Sequence, residues 1–216
     1  MRSAMILVAH ADDETLGAGG LIQKLLKTGW EVDVVIMSDG MLTVRDIVED
    51  NREDAVSACK RLGIRKEPTF LGFADQKFDT YPMADLASAV LELKLEPDLI
   101  VTHVDTDLNL DHRLVCDAAK IVGRPKKKPI AIIGSEIPTT SSWNGHVFPV
   151  NYYVDISLEI DIKIEAFASY RNELQSFPHP WSREGLRLLS QYHGMQCGCP
   201  YAEAFQIIRG HSGLLP

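Results

Sequence analysis

Residues 5–20 read MILVAHADDETLGAGG, and the change of character within this stretch decides the fold. A continuously apolar run, typical of a strand buried on both faces, leads directly into an imidazole and three carboxylates, and a helical stretch follows. These charged residues are His10, Asp12, Asp13 and Glu14. Charge at the end of a buried strand is costly unless it is paired or bound to a cation. The stretch therefore predicts a strand-to-helix unit and raises a chemical question.

The same alternation of short apolar runs and helical stretches continues along the chain. Predicted strands cover 4–9, 31–37, 68–73, 97–103, 130–136 and 151–156. Predicted helices cover 14–28, 50–63, 83–95, 111–123, 158–175 and 182–194, and a further helical stretch over 202–209 closes the chain. This pattern predicts an α/β protein with three layers, a mostly parallel sheet with helices on both faces. Because no linker or repeat interrupts it, we expect a single domain over residues 1–216.

Composition narrows the class of protein. The 216 residues are 45% hydrophobic and 24% charged, which is ordinary for a globular protein, and a net charge of −8 argues against a nucleic-acid binder. No apolar stretch is long enough to span a bilayer, and four cysteines do not make a disulfide framework, so we expect a cytoplasmic protein. The basic run at 124–128 is interpreted as a solvated loop, with a contact to a phosphorylated group as the alternative.

Two polar clusters follow two of the predicted strands. His10 and the acids come directly after the first strand, and THVDTDLNLDHR (102–113) comes directly after the fourth. Ligands of open α/β sheets bind beyond the carboxyl ends of the strands, where the strand order reverses. In the common order, the first and fourth strands are adjacent. We therefore expect the two clusters to lie side by side.

The acids have a structural and a chemical interpretation. Asp12, Asp13 and Asp111 could each cap a helix, because acids near a helix N-terminus are favoured by its dipole. Capping, however, does not require His10 or His112. A catalytic zinc takes three protein ligands from imidazole and carboxylate, which His10, Asp13 and His112 can supply. Asp12 would then be free to accept a proton from a water molecule.

The residues at this point resemble a known family. AHADDE (9–14) is similar to the AHPDDE signature of the LmbE-like, PIG-L-type zinc N-deacetylases, and DLNLDHR (107–113) resembles their second metal motif. The resemblance extends through LGFADQ (71–76), FPVNYYVDIS (148–157), YRNEL (170–174), FPHPWSREGL (177–186) and AEAFQIIR (202–209). It implies a Rossmann-like fold and one Zn²⁺ ion per chain. The implied activity is removal of the acetyl group from an N-acetylated amino sugar or its glycoconjugate.

Carried over by position, the resemblance implies His10, Asp13 and His112 as metal ligands and Asp12 as general base. Ala11 replaces the usual proline, which removes no ligand. Asn109 stands where many members have a second histidine; its amide can donate a hydrogen bond to an oxyanion but cannot deliver a proton. His179 is then our candidate for the acid that protonates the departing amine, with a surface-loop histidine as the alternative. In the family this segment can reach a neighbouring subunit, and we expect a homo-oligomer.

Four further residues are assigned with alternatives. Asp111 either orients His112 or caps a helix, and Arg52 either contacts substrate or lies on a solvated helix. Glu136 and Trp143 are expected to bind sugar hydroxyls and to stack on a sugar ring, with a core or rim tryptophan as the alternative. The spacing of His193, Cys197 and Cys199 fits no common zinc module.

The alternatives for function share the predicted site. One is a metal-dependent amidase or esterase that acts on a non-sugar acyl substrate. The other is a Rossmann-like binding protein that has lost activity, for which Asn109 is the only support. A nucleotide-binding glycine loop is not favoured, since GAGG (17–20) is not G-x-G-x-x-G and the preceding acids would repel a pyrophosphate.

Overall fold

The computed structural model of the protein describes residues 2–44, 47–125, 128–143 and 145–215, so Lys126 and Lys127 of the basic run lie outside the described residues. The strands are β1 Ser3–Val8, β2 Glu31–Ser38, β3 Met41–Val44, β4 Ile47–Asp50, β5 Thr69–Phe73, β6 Leu99–Thr102, β7 Ala131–Ser135, β8 Tyr152–Asp155 and β9 Ala202–Arg209. The helices are α1 Asp13–Lys27, α2 Arg52–Arg61, α3 Met83–Glu92, α4 Leu110–Val122, α5 Ile160–Phe167 and α6 Arg183–Cys197, with a short 3-10 turn at Phe78–Thr80.

Seven strands form one sheet in the order β5-β2-β1-β6-β7-β9-β8. The first five in this order run parallel, and β9 pairs antiparallel with both β7 and β8. The mostly parallel α/β fold predicted from the sequence is confirmed. The expected adjacency of the first and fourth predicted strands is also present, since Ala4 of β1 pairs with Leu99 of β6 and Ile6 with Val101.

The sheet is covered on both faces because its central strands are apolar on both faces. In β1, Ile6 and Val8 pack into one hydrophobic core, while Met5 and Leu7 pack into the core on the opposite face. All four side chains are buried. Because both faces of such a strand are buried among apolar side chains, polar side chains belong at its ends. Among the described residues, none of the helices is both long and apolar enough to cross a bilayer.

The structure corrects three elements of the sequence prediction. Residues 202–209 were expected to be helical, but they form β9, because pairing with two neighbouring strands overrides the helix preference of Ala and Glu. The predicted helix at 158–175 is shorter, since α5 ends at Phe167. The antiparallel pair β3–β4 was not predicted.

Helix α1 explains the GAGG sequence by close packing. Its backbone departs from helical geometry at Ala18, and the NH groups of Gly20 and Leu21 donate to the buried carboxylate of Glu203 on β9, at 2.8 and 2.7 Å. Lys163 of α5 bonds the same carboxylate at 2.6 Å. A Cβ atom on Gly20 would lie 2.5 Å from Ile156, so only glycine allows this approach.

Candidate active site

A cleft opens at the carboxyl ends of the central parallel strands. Its volume is about 170 Å³, and it is lined by residues from most of the loops at this edge. The lining includes residues 10–13, Asn51, 75–76, Asn109, His112, Thr140, Glu173 and Trp181. The described lining includes four carboxylates but no Lys or Arg, which is the charge balance of a cation site.

Three side chains from two loops converge at the base of this cleft. His10 and Asp13 follow β1, and His112 lies in the first turn of α4. The Nδ1 atom of His10 is 3.3 Å from Nε2 of His112, and Oδ2 of Asp13 is 3.5 Å from each of these nitrogens. Tetrahedral ligands bound at about 2.0–2.1 Å from a zinc ion lie about 3.3–3.4 Å apart. The donor set and its spacing therefore fit a zinc ion.

Each of the two histidines has a carboxylate at its other ring nitrogen. The Nε2 atom of His10 is 3.1 Å from Oδ2 of Asp111, and the Nδ1 atom of His112 is 3.3 Å from Oδ2 of Asp107. Carboxylates in this position fix the orientation and tautomer of a metal-binding imidazole. Asp111 thus lies against His10 rather than His112, and the cap of α4 is Asn109, whose Oδ1 accepts from the Asp111 NH at 2.9 Å.

A second grouping of possible ligands shares His10. Its Nε2 atom is 3.2 Å from Oδ1 of Asp75 as well as 3.1 Å from Asp111. This set of His10, Asp75 and Asp111 offers only one nitrogen, and Asp111 also accepts from the Phe78 NH. The set with two imidazoles suits zinc better.

Asp12 lies at the turn between β1 and α1 with an unusual backbone. Its φ angle is 126°, a region that residues with a Cβ rarely adopt. Its carbonyl accepts from the NH groups of Thr15 and Leu16, but its side chain makes no capping bond to α1. The carboxylate of Asp12 lines the cleft instead. Capping therefore does not account for Asp12.

Burial and neighbouring charges shift the pKa values of these groups. Burial raises the pKa of Asp12, and the charges of Asp13 and Glu173 raise it further. Burial opposes ionisation of Asp13, but His112 and His103 outweigh it and hold the pKa well below its usual range. Burial lowers the pKa of His10, but hydrogen bonds to Asp111 and Asp13 raise it to about 10. Adjacent carboxylates thus have opposite tendencies, which suits one as a proton acceptor and the other as a ligand.

The structure adds His103, which the sequence analysis did not single out. It is fully buried at the end of β6, and its ring stacks on that of His112 with centroids 3.9 Å apart. Its Nε2 atom accepts from the Ala9 NH at 2.9 Å and lies 3.4 Å from Asp13. Its position after a buried strand was a signal of the same kind as that of His10.

Another part of the cleft lining consists of residues to which the sequence analysis assigned no role. Asn51 precedes α2, and its Nδ2 atom donates to Oε1 of Glu173 at 3.2 Å. Trp181 faces the same space, with its Nε1 atom held by the carbonyl of Pro138 at 2.8 Å. Burial raises the pKa of Glu173, although Asn51 opposes that change. Glu173 and Trp181 lie within YRNEL and FPHPWSREGL, two segments that carry the family resemblance, but the sequence analysis assigned neither residue a role.

Three predicted substrate-binding residues lie elsewhere. Arg52 forms a bidentate pair with Asp50 and is exposed. Glu136 is bonded to His193 at 2.5 Å, which turns it away from the cleft lining. Trp143 is 64% exposed and does not contribute to the cleft. In both Arg52 and Glu136, a neighbouring side chain already engages the group that was expected to bind substrate.

Asn109 lines the cleft as expected, and because its Oδ1 caps α4, its NH₂ group is the one that can act on a bound molecule. His179 does not belong to the cleft lining. Its Nδ1 atom accepts from the Trp181 NH at 3.0 Å, and its ring packs against Trp181. His179 thus supports Trp181 from outside the cleft lining, and its role as the acid that protonates the amine stays a prediction.

Comparison with known proteins identifies the class. A family model described as "PIG-L: GlcNAc-PI de-N-acetylase" matches residues 5–122, more than half of the chain. The chain belongs to this family of deacetylases, as its resemblance to LmbE-like, PIG-L-type enzymes predicted.

Relatives and solved structures agree on the fold. Diacetylchitobiose deacetylase of Thermococcus kodakarensis is 24% identical over 97% of this chain and 84% of its own length. The structure of N,N'-diacetylchitobiose deacetylase from Pyrococcus horikoshii is similar with a TM-score of 0.72 at 21% identity, over 99% of this chain and 89% of that one. That of 4-carboxy-2-hydroxymuconate hydratase from Pseudomonas putida KT2440 has a TM-score of 0.76 at 20% identity, over 98% of each chain. Because a hydratase has this fold too, the reaction must be argued from the site.

Proposed function

We propose that this protein is a zinc-dependent hydrolase that removes the acetyl group from an N-acetylated amino sugar or its conjugate. The observation that carries the proposal is the triangle formed by His10, Asp13 and His112, with atoms 3.3–3.5 Å apart and the carboxylate of Asp12 beside it. Membership of a deacetylase family supports an acetamide as the bond that is cleaved. The similarity to a diacetylchitobiose deacetylase supports an amino sugar as the substrate. Zinc bound here would polarise the acetyl carbonyl and lower the pKa of the attacking water.

The proton transfers and the stabilisation of the oxyanion are assigned to side chains of the cleft. Asp12 accepts the proton of the attacking water, a role for which its raised pKa suits it. The NH₂ group of Asn109 donates a hydrogen bond to the oxyanion that forms when the water adds to the acetyl carbon. Because Asp12 lines the cleft and His179 does not belong to its lining, we assign to Asp12 the return of the proton to the nitrogen as the C–N bond breaks. Acetate and the free amine leave.

Acetate release from purified protein tests this proposal. N-Acetyl-D-glucosamine and N,N'-diacetylchitobiose are the substrates, and dipicolinate treatment followed by added zinc is the control. We expect turnover that the chelator abolishes and zinc restores. Absence of acetate release from both sugars after zinc loading would contradict the proposal.

A single domain over 1–216, a cytoplasmic location and a homo-oligomer stay predictions.

A further inference from the structure

The cleft lining contains, beside the candidate metal ligands, a buried pair of hydrogen-bonding side chains without an assigned role. Asn51 is only 3% exposed and Glu173 only 8%. Both line the cleft, and they come from positions 122 residues apart in the chain. Neither residue contacts the ligand triangle through a hydrogen bond or ion pair that the structure records, so their conjunction needs its own explanation.

The backbone around Asn51 directs this side chain into the cleft and its neighbour outward. The NH of Asn51 donates to the carbonyl of Gly40 at 2.9 Å, which closes the β3–β4 pair where α2 begins. Arg52 then turns to Asp50 outside the cleft. Gly40 has a φ angle of 80°, and a Cβ atom there would lie 2.9 Å from the ring of Phe70, so glycine is required at the closing position.

The head group of Asn51 is half satisfied. Since a carboxylate is an acceptor, the NH₂ group of Asn51 is the part that faces Glu173, and the amide oxygen is the part that Glu173 does not engage. Among the described residues, no group donates to Oδ1 of Asn51, although this atom is buried. A buried acceptor without a donor costs free energy, and at a cleft wall a bound molecule can supply the missing donor.

Glu173 adds further acceptor capacity beside that oxygen. A carboxylate can accept about four hydrogen bonds, and Asn51 occupies one of these positions. The carboxylate of Glu173 and the amide oxygen of Asn51 therefore offer adjacent acceptors to the cleft, beside the second NH of the Asn51 amide. Trp181 completes this wall with a ring whose NH is already bonded to Pro138, so that the ring offers an apolar surface.

We infer that Asn51 and Glu173 form a recognition site for hydroxyl donors of the substrate and make this cleft selective for an acetamido sugar over a plain acyl amide. This inference rests on the proposed function and specifies its substrate class. In a free N-acetylhexosamine, each of the two ring carbons that flank the acetamido-bearing carbon carries a hydroxyl group, and these hydroxyls match adjacent acceptors. The apolar face of a pyranose matches the ring of Trp181.

A matched pair of substrates tests the inference. N-Acetyl-D-glucosamine and N-cyclohexylacetamide have a six-membered ring and the same amide, but the second has no hydroxyl. We expect Asn51→Leu to raise KM for the sugar about tenfold, and Glu173→Gln to raise it by a similar or larger factor, as expected for lost hydrogen bonds to a neutral or a charged group. Neither change should alter KM for N-cyclohexylacetamide or the zinc content.

Two controls keep the outcome interpretable. Gln191→Leu removes an amide from α6 outside the cleft and should leave both KM values unchanged. Thermal melts identify a variant that fails to fold, and because Glu173→Gln keeps the shape of its side chain, it carries the test if Asn51→Leu unfolds. Equal KM changes for both substrates, or none for the sugar, would overturn the inference while leaving deacetylation in place.

Calorimetric titration separates this inference from the proposed function. If neither substrate is hydrolysed, the proposed function fails, but binding of N-acetyl-D-glucosamine to the zinc-loaded protein is still measurable. The inference then predicts that Asn51→Leu weakens this binding about tenfold and that Gln191→Leu does not. Equal affinity of the wild type and Asn51→Leu would overturn it.

Discussion

On the ligand side of the cleft, the candidate metal ligands follow the adjacent strands β1 and β6, whereas on the other side Asn51 precedes α2 and Glu173 and Trp181 lie between α5 and α6. Each histidine of the ligand side has a carboxylate oxygen 3.1–3.3 Å from a ring nitrogen. Asp107 also accepts from the hydroxyls of Thr140 and Ser141.

The other side retains unused hydrogen-bonding capacity, as at Asn51 Oδ1. Metal ligands and catalytic groups must be held in place by other side chains of the protein. Groups that recognise a substrate need hydrogen-bonding positions that the substrate itself can fill. We therefore expect changes on the ligand side to affect turnover or metal binding, and changes on the opposite side to affect KM.

The largest expected effect is that of Asp12→Asn. This variant keeps the size of the side chain but removes the proton acceptor, so kcat should fall by about 10²–10⁴-fold while the metal content stays near that of the wild type. Initial rates of acetate release and elemental analysis measure the two quantities. Loss of metal from Asp12→Asn to the extent seen in Asp13→Ala would mean that the roles of the two aspartates are reversed.

The carboxylates behind the histidines should have the next largest effect. Asp107→Asn and Asp111→Asn each weaken the orientation of one imidazole, so zinc affinity should fall by about 10–100-fold in each variant. Competition with a chromogenic chelator measures this. Asp105→Asn is the control, because Asp105 is exposed and paired with Lys120. Unchanged affinity in Asp107→Asn would contradict coordination by His112.

Substitution of two of the three tryptophans compares the cleft lining with the outer surface. Trp181→Ala should raise KM for an N-acetylated sugar about three- to tenfold, since an aromatic surface is lost, with a smaller effect on kcat. Trp143→Ala should change KM less than about twofold, because Trp143 is 64% exposed outside the cleft. A larger effect at Trp143 than at Trp181 would restore the sequence-based assignment.

Among the changes at or next to the cleft lining, His179→Ala should have the smallest effect. The imidazole supports the backbone and ring of Trp181, so its loss should raise KM a few-fold and leave kcat nearly constant. Steady-state kinetics distinguish this from the acid role inferred from the resemblance. A fall in kcat of tenfold or more with unchanged KM would show that His179 delivers the proton.

The sequence predicts for a physical reason that His10, Asp13 and His112 converge. His10 and Asp13 are three residues apart on one turn, and His112 follows a strand whose adjacency to β1 is a common property of such sheets. Asn51 at the start of α2 and Glu173 after α5 meet through tertiary packing, since α2 contacts α5, and no local pattern encodes that contact. Likewise, no local pattern indicates that Glu136 is bonded to His193, 57 residues further along, and its role as a sugar ligand stays a prediction.

Metal content tests the central claim most directly. We expect about one zinc ion per chain of wild-type protein by elemental analysis, and loss of most of it in His112→Ala. His193→Ala is the matched control, because His193 is also buried and bonded to a carboxylate but lies outside the cleft lining, and it should keep its zinc. Full zinc content in His112→Ala, or equal loss in both variants, would contradict the assignment of His10, Asp13 and His112 as the metal site.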